Sequence, residues 1–371
     1  MSERTLSILR KRPVDSKIVW APRLEHWYEV NKFTGNLPEE YRAKSLLEIC
    51  DDLGTSPRTY YFFEGTIKTI QRGDVTLKST DEPERIVAEY STPKGRLREV
   101  KTKAIRGLAS GTVAPYWSEH LAKGPDDFPA LEYLLENQTF QFDHDRYERI
   151  TSEIGGRAPP CICCPAVPIA NLTIRYLGLM KTQVLLKKHP EKVMRLLQVL
   201  DDNNGRFLDA FMSSPIPIIN FDDNIDQNLF SPTIFVKHIL PYYRRWTAEL
   251  HTRRKLCTAH WDGKLAALLQ YARATGLDGI ECVTPKPQGD VALEQIHAAF
   301  GDLVLLDGIP AVSLLPWAGD SELGDFVDRL LHLFLPNIIL GVSDLVPPNA
   351  DIRKLRLVKQ LIENFQGSYA A

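Results

Sequence analysis

The chain has 371 residues, of which 44% are hydrophobic and 25% are charged, so it can bury a large core and is not a disordered protein. Its net charge of −2 argues against a nucleic-acid partner, because such proteins usually show a clear basic excess. The N-terminus lacks the apolar core of a secretory signal, and the longest apolar run, residues 330–342, is too short to span a bilayer. We therefore predict a cytoplasmic protein that does not enter a membrane.

The first third of the chain leads from helices into a β-rich segment. His26 and Trp27 belong to an aromatic cluster that we place in a loop and predict to bind substrate, although a packed arm would carry the same residues. Residues 57–105 contain several strand-like runs separated by turn residues, and we predict that they form a β-rich insertion. The predicted strands of this insertion are 60–70, 74–79, 85–91 and 96–101.

From about residue 157, strand-like and helical runs alternate. The predicted strands are 161–169, 217–221, 255–260, 277–282, 303–306 and 337–342, and the predicted helices are 191–212, 235–253, 265–272, 291–300, 322–334 and 351–365. This alternation is typical of a parallel sheet with crossover helices. No G-x-G-x-x-G follows any strand, which favours a closed (β/α)8 barrel over a Rossmann sheet. We predict one barrel domain over residues 1–371.

Polar side chains follow the predicted strands from residue 215 onward. They are Asp222, Asp223, His260, Asp262, Glu281, Cys282, Asp307 and Asp344. In a barrel, the carboxyl ends of the strands converge on one mouth, where ligands bind. An imidazole with two or three carboxylates suits zinc, manganese or iron, and we predict a divalent metal on His260, Glu281 and Asp307. The alternative is that the acids cap the following helices, since Asp is a favoured N-cap residue.

The remaining residues at the mouth receive other roles. We predict that Asp223, His260 and Asp344 are catalytic and that Asp222, Asp262 and Cys282 contact substrate. The run Cys161-Ile162-Cys163-Cys164 is interpreted as a strand rather than a metal box, because adjacent residues of a strand face opposite sides and no paired C-x-x-C lies elsewhere.

Several segments of the chain resemble the uroporphyrinogen decarboxylase superfamily, which also contains cobalamin-linked methyltransferases. They are FSPTIFVKHILPYYRR, HWDGKLAALLQYARATGLDGIE, LLDGIPAVSLLP and NIILGVSDLVPPNADIRKLRLVKQLIE. The resemblance implies a (β/α)8 barrel with its site at the C-terminal mouth, and it raises the expectation of a homodimer, since related barrels commonly dimerise.

Two departures from the family patterns narrow the expected function. Decarboxylases of this family carry an RQAGRY-like segment, whereas the corresponding PRLEHWY retains only Arg23, which argues against a polyanionic tetrapyrrole. The coenzyme M methyltransferases bind zinc through His-x-Cys and a later Cys. Here His260 matches the histidine, Asp262 replaces the first cysteine, and the segment around Asp307 lacks the second. An oxygen-rich site is a harder Lewis acid, suited to an ether, alcohol or carboxylate oxygen.

We therefore predict a cobalamin-dependent methyltransferase that acts on a small methoxylated substrate with zinc or another divalent metal. The corrinoid would be carried by a separate partner protein, because the chain has no D-x-H-x-x-G cobalamin motif. The alternative is a metal-independent decarboxylase of a small aromatic or tetrapyrrole acid. In that case Asp223 or Asp344 donates the proton, and His260 lines the pocket as a hydrogen-bonding side chain. A third reading is a barrel that has lost catalysis and serves as a binding subunit.

Overall fold

The structure is a computed structural model that describes residues 1–12 and 17–369, with side chains as far as residue 366. The strands in this part of the chain are β1 (Ile67–Gln71), β2 (Thr76–Asp81), β3 (Arg85–Thr92), β4 (Gly95–Thr102), β5 (Tyr116–Glu119), β6 (Gln138–Phe142), β7 (Cys161–Cys164), β8 (Ile218–Ile225), β9 (Leu256–Trp261), β10 (Gly279–Glu281), β11 (Val304–Pro310) and β12 (Ile338–Ser343).

Helices surround these strands. They are α1 (Ser2–Leu9), α2 (Glu25–Thr34), α3 (Leu46–Leu53), α4 (Tyr60–Phe63), α5 (Phe128–Glu136), α6 (His144–Ile154), α7 (Pro168–Asn171), α8 (Leu179–Lys188), α9 (Pro190–Met212), α10 (Pro232–Ile234), α11 (Leu240–Thr252), α12 (Leu293–Phe300), α13 (Asp320–Phe334) and α14 (Ile352–Tyr369). Among the described residues, none of the helices is both long enough and apolar enough to cross a bilayer.

Strands β7 to β12 form one parallel sheet in which each strand pairs with the next in the chain. Every residue of β9, β11 and β12 is buried, as expected for strands covered on both faces. Helices lie in the crossover connections: α9 before β8 agrees with the predicted 191–212 to within one residue, and α11 before β9 covers the second part of the predicted 235–253. The predicted α/β fold with parallel strands and crossover helices is confirmed.

The six parallel strands form one layer that is called the wall below. Two irregular segments lie next to its edge strands, β12 and β7. The segment around Trp20 pairs in parallel with Leu340 of β12. Ser56 lies next to it, because its N–H donates to the carbonyl oxygen of Trp20 at 2.8 Å, and its Oγ donates to the carbonyl oxygen of Arg157 at 2.8 Å, shortly before β7. These hydrogen bonds link β12 to the segment that precedes β7.

The β-rich region differs from its predicted course. Residues 60–63 form the helix α4, and β1 pairs antiparallel with β6, whereas β2 to β5 form a separate four-stranded antiparallel sheet. The strands of the region thus continue to residue 142. The aromatic residues of α4 suggested a strand, but Tyr60 and Phe63 are buried, and tertiary packing outweighs the strand preference of aromatic side chains.

Two connections near the mouth also differ from the prediction. The helix predicted over 265–272 is replaced by turns and a 3₁₀ helix, Leu269–Thr275, which ends at Gly276 with φ +81°. Strand β8 runs four residues past its predicted end, and its pairing with β9 is irregular between Phe221 and Ile225. Asp222 and Asp223 are therefore part of the strand and do not cap a helix.

Helix α1 covers the N-terminal end of the sheet. Its buried residues Leu6 and Leu9 cluster with apolar side chains from four strands, among them Leu256 and Val304 near the starts of β9 and β11. One end of the wall is therefore closed by apolar packing, and the polar strand ends lie at the other.

Candidate active site

Glu281 is the centre of a polar cluster at the carboxyl ends of the strands. It is the last residue of β10, stands in register with His260 on β9, and is only 1% exposed. Its Oε2 accepts a hydrogen bond from Nη1 of Arg58 at 3.1 Å, and its Oε1 accepts one from Nδ2 of Asn220 at 3.0 Å. Nδ1 of His260 also lies 3.0 Å from Oε1. Both oxygens of Glu281 are therefore engaged by protein donors.

Two buried arginines balance the negative charge of the cluster. Arg58 binds Glu281 with one guanidinium nitrogen and Oδ1 of Asp307 with the other, at 2.6 Å. Arg23 donates from Nη1 to Oδ1 of Asp344 at 2.5 Å and to Sγ of Cys282 at 2.9 Å. Sequence reasoning missed Arg58. The available signal was the number of acids at the strand ends, because buried carboxylates are paired with cations.

His260 is held in one orientation by Glu281. Ionised Glu281 can only accept, so the hydrogen of this pair is on Nδ1, and Nε2 points toward Oδ2 of Asp262 at 3.8 Å and Oδ1 of Asp344 at 3.9 Å. Burial disfavours the imidazolium form, but Cys282, Asp262 and Glu281 outweigh this effect and raise the pKa of His260 well above its ordinary value.

The two carboxyls that share Arg58 have opposite protonation preferences. Burial favours the neutral form of Glu281, but Arg23, His260 and Arg58 outweigh it and lower the pKa of Glu281. Burial raises the pKa of Asp307, and the attraction of Arg58 offsets this only in part because Glu281 repels a second negative charge. Glu281 is thus the anion of the pair, and Asp307 is the member that takes up a proton first.

The open side of the cluster presents a three-residue ligand set. His260, Asp262 and Asp344 each offer one ligand atom, and these three atoms lie within 4.8 Å of one another. The side chains of Asp262 and Asp344 are 35% and 38% exposed, so solvent reaches this set. One imidazole and two carboxylates suit zinc, manganese or iron(II), with further positions left for water or substrate.

The predicted metal set His260, Glu281 and Asp307 is brought together only in part. Glu281 touches His260, but its oxygens are occupied, and Asp307 binds Arg58 and the N–H of Cys282, at 3.2 Å. A second compact set contains His260, Glu281 and Cys282, all buried. Cys282 is 0% exposed, so its thiol lies behind the mouth, where it binds Asp344 and Asp307.

The two aspartates of β8 have different surroundings. Asp222 is exposed on the side of the cluster. Partial loss of hydration raises its pKa, and the charge of His260 opposes this shift without cancelling it. Asp223 is fully buried, where Oδ1 accepts from the N–H of Val167 at 2.6 Å and Oδ2 accepts from the hydroxyl of Tyr243. Within the described chain, Asp223 shares no hydrogen bond with His260. Asp222 is therefore the one that faces the mouth.

His26 and Trp27 lie in helix α2 and not in the predicted loop. Nδ1 of His26 is 2.7 Å from the carbonyl oxygen of Thr112, so this ring anchors the loop before β5. Trp27 is 2% exposed and packs edge-on against Tyr41, with ring centroids 6.1 Å apart. The structure thus places Trp27 in the hydrophobic core.

Comparisons with known proteins place this geometry in context. The family model described as uroporphyrinogen decarboxylase (URO-D) matches residues 108–364. A search of curated proteins finds no match. Among solved structures, a methyltransferase from Methanosarcina mazei is similar over 98% of both chains, with a TM-score of 0.61 at 12% identity. A B12-independent methionine synthase from Shewanella sp. W3-18-1 has a TM-score of 0.39 at 11% identity, covering 87% of this chain and 86% of that one.

Proposed function

This chain belongs to the uroporphyrinogen decarboxylase family, and on that premise we propose that it is a metal-dependent methyltransferase. Its substrate would be a small methoxylated compound, and the methyl group would pass to a corrinoid carried by a partner protein. The similar methyltransferase from Methanosarcina mazei supports the reaction class as an analogy between folds.

The observation that carries the proposal is the open ligand set of His260, Asp262 and Asp344. Donor atoms 3.8 and 3.9 Å from Nε2 of His260 need to approach by only about half an ångström to share an ion with bonds of about 2.1 Å. Three protein ligands with a solvent-accessible side is the arrangement of a catalytic rather than a structural metal site. Compared with the sequence prediction, the proposed ligands change from Glu281 and Asp307 to Asp262 and Asp344.

Glu281 and Asp307 then act behind the ligands. A carboxylate that accepts a hydrogen bond from the second nitrogen of a ligating histidine fixes the ring and raises its basicity, and Glu281 stands in this position. Arg23 donates to Oδ1 of Asp344, the oxygen that also lies 3.9 Å from Nε2 of the ligating histidine, and so fixes this carboxylate beside the ring. Arg58 keeps Glu281 charged and in place. Asp307 is the second carboxyl that pairs with the guanidinium of Arg58.

The substrate would enter between Asp222 and the ligand set. A bound divalent ion would supply Lewis acidity to the ether oxygen from which the methyl group departs. Asp222, with its raised pKa, is placed to give a hydrogen bond or a proton to that oxygen. The buried side chains behind the mouth exclude water from the rear of the cluster.

Metal analysis of the purified protein tests the ligand assignment. We expect one ion at the mouth of the wild-type chain, with its affinity lost in His260→Ala and in Asp262→Ala. Asp320→Ala is the matched control, because Asp320 is an exposed acid in the first turn of α13 that pairs with Lys354 and not with a residue of the cluster. Retention of the mouth ion in His260→Ala would rule out this site.

Methyl transfer is measured next, with methyl ethers and a reduced corrinoid protein. We expect demethylation that stops on chelation, returns with zinc or manganese, and is lost in Asp262→Ala. Transfer that persists in the chelated enzyme would contradict the proposed role of the metal.

A metal-independent decarboxylase of a small aromatic or tetrapyrrole acid is the second candidate function. The observation that favours it is Asp222, an accessible acid with a raised pKa, opposite the buried cation Arg23. This acid replaces Asp223 as the proton donor of that reaction, because Asp223 is bound to Tyr243. Release of carbon dioxide in the presence of chelator, lost in Asp222→Asn, would favour the decarboxylase.

A further inference from the structure

Three potential metal ligands also meet at the other end of the wall, where the strands begin. His251 is in the last turn of α11, Cys257 is the second residue of β9, and Asp278 immediately precedes β10. The distances are 3.1 Å from Nε2 of His251 to Oδ2 of Asp278, 3.5 Å from Sγ of Cys257 to the same oxygen, and 3.8 Å from Sγ to Nε2. This group lies outside the mouth and has no part in the proposed reaction.

The backbone fixes two of the three side chains. Oδ2 of Asp278 accepts the N–H of Cys257 at 2.7 Å, and the N–H of Asp278 donates to the carbonyl oxygen of Cys257 at 2.9 Å. Asp278 and Cys257 are therefore locked together between neighbouring parallel strands. His251 comes from a helix that precedes β9 by only a few residues, so the tight turn between them brings the ring over the pair.

The separations fit one tetrahedral ion. Zinc bonds of about 2.3 Å to sulfur, about 2.0–2.1 Å to imidazole nitrogen and about 2.0–2.2 Å to carboxylate oxygen, at tetrahedral angles, put the ligand atoms roughly 3.3–3.6 Å apart. The observed 3.1, 3.5 and 3.8 Å lie within a few tenths of an ångström of that range. We propose that His251, Cys257 and Asp278 bind a zinc ion, with water as the fourth ligand.

Access and charge agree with this assignment. The side chain of His251 is 43% exposed and that of Asp278 is 13% exposed, while Cys257 is buried, so an ion would enter from the histidine side. Lys11 is the neighbouring cation that would oppose it, but Lys11 is paired with Asp302 at 2.6 Å. One sulfur, one nitrogen and one oxygen donor suit zinc or cobalt(II) better than magnesium or calcium.

The position of the site indicates a stabilising role. It joins the end of α11 to the starts of β9 and β10, on the face of a barrel where residues serve stability rather than catalysis. An ion bound only in the folded state raises the melting temperature as its concentration increases. This effect does not depend on the proposed methyl transfer.

Cobalt(II) distinguishes this site from the mouth, because a thiolate ligand gives an intense charge-transfer absorption that nitrogen and oxygen ligands lack. The probe is cobalt(II) added to metal-free His260→Ala, in which the mouth has lost its histidine. We expect one equivalent to bind with the thiolate band. The band should disappear when Cys257→Ser is added to His260→Ala, and it should remain when Cys282→Ser is added instead.

His251→Gln tests the site without disturbing a buried residue. We expect cobalt affinity at least about tenfold weaker and loss of the zinc-dependent rise in melting temperature. His332→Gln is the control, since His332 forms a similar exposed pair with Asp328, at 3.2 Å, and its loss leaves both readouts unchanged. The proposal is overturned if cobalt binds without a thiolate band, if the band survives Cys257→Ser, or if His251→Gln binds cobalt like the wild type. In each case the trio is a hydrogen-bonded cluster only.

Discussion

Oε1 of Glu281 lies 3.0 Å from Nδ1 of His260, so the carboxylate decides which imidazole nitrogen is free. The other oxygen of Glu281 is held by Arg58, which prevents the carboxylate from turning toward the mouth. The histidine is thereby aimed at Asp262 and Asp344.

Replacing Glu281 with glutamine should weaken metal binding at the mouth by about 10–100-fold, the usual effect of losing an outer partner of a ligating histidine. The affinity is measured by competition with a chromogenic chelator in a Cys257→Ser background, so that only the mouth is titrated. Glu294→Gln is the control, because Glu294 pairs with Arg329 on the surface. Equal affinities for the two variants would contradict the orienting role of Glu281.

Metal affinity at the mouth should increase with pH through neutrality. Nε2 of His260 must lose its proton before it can ligate, and the pKa of His260 is raised well above the ordinary value of about 6.5. The proton therefore competes with the ion below this raised pKa and stops competing above it. Binding isotherms between about pH 6 and pH 9 check this expectation. An affinity that is already constant at neutral pH would show that His260 is not protonated in the free site.

Arg58→Met should destabilise the metal-free protein by about 3–5 kcal/mol, because it leaves the buried carboxyls of Glu281 and Asp307 without their shared cation. Arg157→Met removes a comparable ion pair with Asp51, but these side chains are 35% and 48% exposed, and its cost should be about 1 kcal/mol or less. Urea unfolding measures both. Similar losses for the two variants would mean that the cluster does not rely on Arg58.

In the wild type, the free energy of unfolding should decrease as the pH rises from about 4 to about 7, and Asp223→Asn should make this decrease smaller. Burial raises the pKa of Asp223 to about 7, so the folded state binds its proton more tightly than the unfolded state does. The stability from this group is fully present below the unfolded pKa near 4 and is lost, at up to about 1.4 kcal/mol per pH unit, as the pH rises toward 7. Asparagine does not ionise and removes this contribution.

Urea unfolding of the wild type and of Asp223→Asn across this pH range tests the prediction. Glu25, whose pKa burial raises to about 7, contributes in the same direction, but it is present in both proteins and cancels. Asp202→Asn, an exposed aspartate of α9, should follow the wild type. If the Asp223→Asn and wild-type profiles were parallel, ionisation of Asp223 would not be linked to folding.

The parallel strands could be predicted because each is a short apolar run bounded by polar or turn residues, and burial on both faces demands that pattern. The pairing of β1 with β6 could not, since its strands are separated by the whole β2–β5 sheet and local patterns carry no register between distant segments. The helix Tyr60–Phe63 was missed because its aromatic residues favour a strand until tertiary packing is considered.

At the site, the sequence predicted which acids lie in the parallel strands or directly after them, but not what they bind. The two aspartates of β8 and Asp307 of β11 lie within these strands, whereas the sequence predicted that they follow them. His260 and Glu281 meet as expected because their strands are neighbours in register. Arg58 lies in an irregular segment without periodicity, and its contact with Asp307 spans 249 positions, so no local pattern reveals it. Because Arg58 binds both carboxyls, Glu281 and Asp307 are not free to ligate a metal in the way that the sequence predicted.

The contact between Arg23 and Asp344 joins positions 321 residues apart, and Trp20 pairs with Leu340 beside it. During synthesis, the first partner of each pair leaves the ribosome long before the second. Arg23 therefore cannot form this ion pair until Asp344 has been translated. A nascent chain that stops before β12 contains two of the three proposed metal ligands but lacks Asp344, so the ligand set at the mouth is incomplete until the chain has been translated past the last strand.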